Sequence, residues 1–204
     1  MHHSILVVDM AGYGELNNRG QLQARAILNK SMNAAIRTIG LTQASLAIHH
    51  RGDGMLMVVP PTISKADLLD LLLPRLARTI HAANADPAGN RVRLRVAVHA
   101  GELIQDATGW FGTDLNLACR LVDAEAAYAR LRASTESDVV LIVSDVIYQG
   151  VIRHGYYGLD PADYQRVRVR AKEVDATAWL RTWPTDNAPV PASPPLNERV
   201  GKPL

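Results

Sequence analysis

Residues 4–14 read Ser-Ile-Leu-Val-Val-Asp-Met-Ala-Gly-Tyr-Gly, and the rest of the chain is best read outward from them. Ser4 to Val8 is a continuous apolar, β-branched run, the pattern of a strand buried on both faces, and it ends at an acid, Asp9. Gly12 and Gly14 then give a turn that brings backbone close to whatever lies beside that acid. From about Asn18 to Ile39, Leu22, Ala26, Ile27, Met32, Ala35, Ile36 and Ile39 recur at near-helical spacing, and Gly40 stops the helix. Strand-like runs at 45–50 and 55–59 flank Arg51-Gly52-Asp53-Gly54, whose Asp-Gly pair signals a hairpin. After Pro60-Pro61, Ser64 caps a second helix that runs to about Asn84 with a Leu68–Leu76 core stripe, and 92–99 is a further strand.

Strand, helix, strand, strand, helix, strand is the split βαβ order, so the expected class is α+β with a ferredoxin-like βαββαβ core. In that order the third strand lies antiparallel beside the first, which makes Asp9 and Asp53 neighbours across 44 positions of sequence. C-terminal α/β additions follow: an extended segment near 102–104, a helix over about 114–131, a strand at 139–143, a helix from 144 to about 154, and strands at 167–172 and 177–180. Residues 184–204 hold six of the eleven prolines, so the expected organisation is one domain, 1–183, with a flexible tail, 184–204.

The 204 residues are 48% hydrophobic and 21% charged with a net charge of +2, the composition of an ordinary globular protein and not of a disordered one. One cysteine, Cys119, excludes an internal disulfide framework, and no Cys/His cluster has zinc spacing. There is no signal-like leader and no apolar run of about 20 residues. A cytoplasmic location without membrane insertion is the expectation. His81 and His154 read as surface residues and Cys119 as packed.

Two carboxylates converging at one sheet end repel and raise each other's pKa, a penalty that a bound hard divalent cation removes. Backbone amides in the Gly12–Gly14 turn suit phosphate oxygens. Asn116 and Arg120, four residues apart, share a helix face and suit a ribose and a phosphoryl charge. Each piece also has a plain alternative: Asp9 as a turn former, the Asp-Gly pair as a hairpin and nothing more, Arg120 as the partner of Asp123.

The strings Val8–Gly14, Arg51–Gly54, Arg95–Gly101 (RVAVHAG) and Gly112–Leu121, in this order and spacing, resemble four signature segments of the class III adenylyl/guanylyl cyclase catalytic domain, over roughly residues 4–181. The resemblance implies a chain that is all catalytic domain, acting as a head-to-tail homodimer on a nucleoside triphosphate. It implies Asp9 and Asp53 as metal ligands with the Met10 carbonyl, and two Mg²⁺ or Mn²⁺ ions per site. It implies Gly12, Tyr13 and Gly14 as the phosphate turn, Asn116 for the ribose and Arg120 for the transition state. It also implies a basic strand, Arg170-Ala171-Lys172, at the terminal phosphates, with either cation in that role.

The purine-reading pair of the family is altered. His49 stands where purine cyclases carry lysine or glutamate, and Gly109, beside Trp110 and Phe111, stands at the second position. A glycine offers no side-chain hydrogen bond to a base. This departure is similar to the pyrimidine cyclases of antiphage signalling, which make cyclic UMP or cyclic CMP for a separate effector. The alternatives are an adenylyl or guanylyl cyclase, a non-catalytic cyclase-homology module and a nucleic-acid-binding module. The last has basic stripes in its favour, Arg91/Arg93/Arg95 and Arg166/Arg168/Arg170, but the core strands lack the aromatic platforms it needs, so no nucleic-acid partner is expected. The stripes are expected to steer triphosphate or to pair with acids across a dimer.

Overall fold

The computed structural model describes residues 2–86 and 89–183; the proline-rich segment expected as a tail lies outside the described residues. β1 (His2–Met10), buried from His3 to Val8 and at Met10, is flanked by β3 (Gly54–Val59) and β4 (Leu94–Glu102). With β2 (Ala47–His50), β7 (Val139–Ser144), β8 (Gln165–Ala171) and β9 (Val174–Thr182) they form a mixed seven-stranded sheet ordered β2-β3-β1-β4-β7-β9-β8. The first four of these positions reproduce the expected ferredoxin-like order. The expected α+β class with C-terminal additions stands. β1 runs antiparallel to both neighbours, and Asp9 pairs with Gly54 on one side and Arg95 on the other.

One face of the sheet is covered by α1 (Asn18–Arg37) and by a long helix that starts as α2 (Lys65–Asp67), widens into a π turn (Leu68–Leu72) and continues as α3 (Leu73–Asn84). Asn17 and Ser64 cap these helices, accepting from Gly20 N at 2.9 Å and Ala66 N at 3.1 Å. Leu68, Leu69, Leu72, Leu73 and Leu76 are fully buried here with Met32, Ile36, Met55 and Met57. The other face is covered by α4 (Thr113–Val122) and α5 (Glu125–Ala133), over Ile5, Val7, Leu56, Val58, Val140 and Ile142. A separate hairpin, β5 (Ile104–Asp106) and β6 (Gly109–Phe111), leads into α4, and α6 (Asp145–Gly150) follows β7.

The single helix expected over 114–131 is two. Buried positions run 115, 118, 119, 121, 122 and then 124, 127, 131, so the apolar stripe slips phase at Asp123. A continuous helix would carry Glu125 onto the sheet; the break at Asp123–Ala124, where Ala124 is extended, keeps it in water. At the sheet edges, β2 is four residues long, and on β8 the arginines 166, 168 and 170 stand exposed.

Candidate functional site

The expected meeting of Asp9 and Asp53 is observed. Met10 N donates to the Asp53 carbonyl at 2.9 Å, tying the end of β1 to the β2–β3 hairpin, and the Met10 side chain is buried in the core. Burial pushes the Asp9 carboxyl up to about 6; Arg95 opposes this, while the charges of Asp53 and Asp123 add to it. Arg95, its side chain only 6% exposed, bonds Asp9 through Nη2, and its guanidinium carbon lies 3.5 Å above the centre of the Tyr128 ring. The Arg95 Nε is buried and has no hydrogen-bond partner.

The charges of Asp53 and Asp123 acting on Asp9 exceed what its one guanidinium offsets, and hard oxygen donors at a sheet end are the donor set of Mg²⁺ or Mn²⁺. The residues present therefore fit a divalent cation held by Asp9 and Asp53. Among the described residues no group of three or more His, Cys, Asp and Glu side chains is arranged to enclose a metal, so phosphate or water oxygens would have to complete the shell.

Gly12 has φ +71°, a left-handed conformation that a side chain strains, and it opens a single 3-10 turn, Tyr13–Glu15. α1 begins at Asn18, as expected, behind its own Asn17 cap, and Glu15 N and Leu16 N close the short turn onto the Gly12 and Tyr13 carbonyls. The turn follows Asp9 directly, so any phosphate cradle here rests on local amides and not on the α1 dipole.

Asn116 and Arg120 project from the same side of α4. Arg120 pairs with Glu173 at 3.2 Å and not with Asp123. Glu173 sits in the β8–β9 turn next to Lys172, whose φ is +53°. Arg170 lies 3.7 Å from Asp175, which also binds Arg168. The turn carrying Lys172 is thus held at Arg120, whereas Arg170 is committed to a strand ion pair.

His49 and Gly109 do come together. A Cβ on Gly109 would stand 3.5 Å from the His49 ring, and both line a cavity of about 250 Å³ with Arg51, Leu56, Thr108, Trp110 and Leu115. The Arg51 Nη1 donates to the Cys119 Sγ at 3.5 Å, joining the Asp53 hairpin to α4 beside this cavity; Cys119 is packed as expected.

The arginine stripe 91/93/95 is corrected. Arg91 bonds Asp138 at 2.8 Å, Arg93 donates to the carbonyls of Leu131, Ser134 and Ser137, and Arg95 takes Asp9, all within one chain. His81, expected as a plain surface residue, lies 3.2 Å from Asp138, with its own side chain half exposed.

Sequence reasoning passed over Arg95 and a buried chain through His99. Asp114 accepts from Glu102 N, so the His99 Nε2–H donates to its other oxygen at 3.1 Å; Nδ1 then accepts the Ser144 hydroxyl at 2.8 Å, and Ser144 caps α6 at Ile147 N. Burial holds His99 below the ordinary imidazole range, against the pull of Asp114. A Cβ on residue 101 would fall 2.1 Å from the Asp114 carboxyl, so only glycine admits this contact. The chain pins the first turn of α4, and with it Asn116 and Arg120, to β4 and β7. Arg95 was findable from register, as the β4 residue paired with Asp9.

No family model matches the chain. A curated relative, the "Putative adenylate cyclase 3" of Rhizobium meliloti (strain 1021), is 27% identical over 200 residues; the match takes in 94% of this chain but 30% of that protein, so the chain spans about a third of its relative. Among solved structures, the guanylyl cyclase Cya2 superposes with a TM-score of 0.63 at 14% identity, covering 95% of this chain and 96% of that one. The adenylate/guanylate cyclase/hydrolase of Silicibacter pomeroyi gives 0.58 at 23% identity, covering 91% and 98%. The fold is that of adenylyl/guanylyl cyclase catalytic domains. No helix among the described residues is long and apolar enough to cross a membrane.

Proposed function

We propose that this protein is a nucleotidyl cyclase that converts a nucleoside triphosphate into a 3′,5′-cyclic nucleotide and pyrophosphate. The observation that carries the reading is Asp9: a carboxyl raised to about 6 by burial, crowded by Asp53 and Asp123, next to a buried arginine whose Nε has no partner. Asp9, Asp53 and the Met10 carbonyl would hold Mg²⁺ or Mn²⁺. Two such ions, when bound, supply a lowered pKa at the ribose 3′-hydroxyl and charge neutralisation on the triphosphate.

The chain's own groups do the rest. The Gly12–Gly14 amides and Lys172 hold the outer phosphates, Asn116 orients the ribose, and Arg120, given up by Glu173, meets charge developing at the α-phosphorus. The 3′-oxygen loses its proton to solvent and bonds to the α-phosphorus in line, and the bond to pyrophosphate breaks. In this reading two copies pair head to tail, the carboxylates of one facing Asn116 and Arg120 of the other. The favoured substrate is a pyrimidine triphosphate, since neither His49 nor Gly109 supplies the purine-reading pair, and the product serves a separate effector in antiphage signalling. A purine substrate is the second reading, favoured by the name of the Rhizobium relative.

Incubation with Mn²⁺ and each of ATP, GTP, CTP and UTP, with products identified by mass spectrometry, tests this. Cyclic UMP or cyclic CMP, lost in Asp53→Ala, is expected; cyclic AMP or cyclic GMP as the main product would replace the pyrimidine assignment by the second reading. Mixing Asp53→Ala with Arg120→Ala protein is expected to restore turnover through one intact shared site, and no recovery under subunit exchange would count against the dimer.

A further inference from the structure

The cavity beside α4 has one fixed charge. Of its lining residues His49, Arg51, Leu56, Thr108, Gly109, Trp110 and Leu115, only Arg51 is ionic, and none carries a carboxylate or a carboxamide. A guanidinium has five N–H donors and no acceptor. One terminal nitrogen of Arg51 is used by the Cys119 Sγ at 3.5 Å, which fixes the head against α4 and leaves the other donors for a ligand. The Thr108 hydroxyl donates to Asp106 Oδ1 at 2.7 Å, and Gly109 N donates to the same oxygen at 3.1 Å, so neither proton is offered to the cavity. The acceptors left on the lining side chains are the Thr108 oxygen and an imidazole nitrogen of His49.

The four bases differ in what they set against such a lining. Adenine, guanine and cytosine each carry an exocyclic amine; uracil carries none, and it has carbonyls at C2 and C4 with a single N3–H between them. The C4 substituent of a pyrimidine lies across the ring from the glycosidic nitrogen, so it is the polar atom farthest from the ribose. Facing Arg51, a carbonyl there accepts a charge-assisted hydrogen bond, whereas an amine sets donor against donor.

We propose that Arg51 is the specificity-determining residue of this pocket and that the base it selects is uracil, with O4 on the guanidinium and N3–H on Thr108 or His49. This rests on the cyclase reading and narrows its substrate to UTP. Arg51 belongs to the hairpin that carries Asp53, so in the head-to-tail dimer one hairpin would serve the base of one site and the metal of the other.

The test is competition. Equal UTP and CTP, with Mn²⁺, are given to the wild-type protein and to Arg51→Gln, and the ratio of cyclic UMP to cyclic CMP is read by mass spectrometry. Binding of 3′-deoxy-UTP and 3′-deoxy-CTP, which cannot cyclise, is measured in parallel. A charged hydrogen bond exchanged for a donor clash predicts a wild-type preference for uracil on the order of 10- to 100-fold, collapsing towards unity in Arg51→Gln, in both readouts. Arg51→Glu, which offers an acceptor, is expected to reverse the preference towards cytosine. Arg51 is exposed in the hairpin, so these variants are expected to fold, with an unchanged circular dichroism spectrum as the control.

A wild-type preference for CTP, or an unchanged ratio in Arg51→Gln, overturns the uracil assignment while leaving a pyrimidine cyclase in place. A purine triphosphate as the best substrate overturns both. If no nucleotide is cyclised the cyclase reading fails, and the 3′-deoxy binding ratio still decides the role of Arg51.

Discussion

Two carboxylates lie beside β4, each with an arginine of the 91–95 segment, and they end in opposite states. Asp138, its side chain 1% exposed, receives Arg91 at 2.8 Å and His81 at 3.2 Å; although burial alone would raise it, hydrogen bonds from Asn84, Arg91 and His81 hold it below the ordinary carboxylate range. Asp9 has Arg95, yet it stands near 6, because burial and the charges of Asp53 and Asp123 outweigh one guanidinium. The first cluster is satisfied within the chain and acts as a structural clamp. In the proposed function a cation completes the second. A buried acid whose neighbours are also acids marks a site more reliably than burial or an arginine partner does, since both clusters have those.

The largest test of this contrast is catalytic. Arg120→Ala is expected to lower turnover about 100- to 1,000-fold with an unchanged urea midpoint, as loss of one transition-state contact commonly does. A shifted midpoint would show that its pairing with Glu173 holds the fold. Asp138→Ala should do the reverse, costing about 3 kcal/mol in urea unfolding because Arg91 and His81 lose their shared acceptor, with turnover per folded molecule retained.

Saturating Mn²⁺, at about 100 times its dissociation constant, should stabilise the wild-type protein by about 2.7 kcal/mol. It should leave Asp9→Asn unmoved. Equal protection of both proteins would place the ion elsewhere.

A further contrast is in pH. The folded pKa of Asp9 lies above its unfolded value, so between about pH 4 and 6 the folded state binds more protons and Asp9 lowers stability as pH rises. Asp138 has the opposite sign: the stability it contributes is present above about pH 4 and is lost as acid protonates the folded carboxylate. In chelator, Asp9→Asn should therefore gain on the wild type as pH rises from 4 to 6, whereas Asp138→Asn should lose ground as pH rises from strongly acidic values to about 4. Parallel pH profiles for the two variants would erase the distinction.

His99→Gln sharpens the same point at a distance. Glutamine keeps one donor and one acceptor but not their ring geometry, so α4 should loosen at Asp114. The expected outcome is a fall in kcat larger than the change in KM, because Asn116 and Arg120 are placed by that helix.

The core and the meeting of Asp9 with Asp53 were legible in the sequence because they rest on periodicity and on a single topological step. A buried run ending in Asp9, a hairpin carrying Asp53 and the strand order between them are enough to make the two acids neighbours. The α4–α5 break was not legible, since no glycine or proline marks it and only the slip from 121/122 to 124/127 does. The arginine stripe misled because alternation says which face a residue occupies and nothing of what meets it there. Arg91, Arg93 and Arg95 find a buried acid, three carbonyls and Asp9 in turn. The His99 chain joins a strand, a helix start and a helix cap from three parts of the sequence, and no spacing rule connects them.

The edges of the sheet carry one more consequence. An unpaired strand edge is a template for adding another strand, and hence for runaway association. Here one edge, β2, is four residues long, and the other, β8, sets exposed Arg166, Arg168 and Arg170 along its length. A copy approaching β8 to β8 would bring a second row of guanidinium groups against the first. Strand-to-strand aggregation through β8 is thereby discouraged.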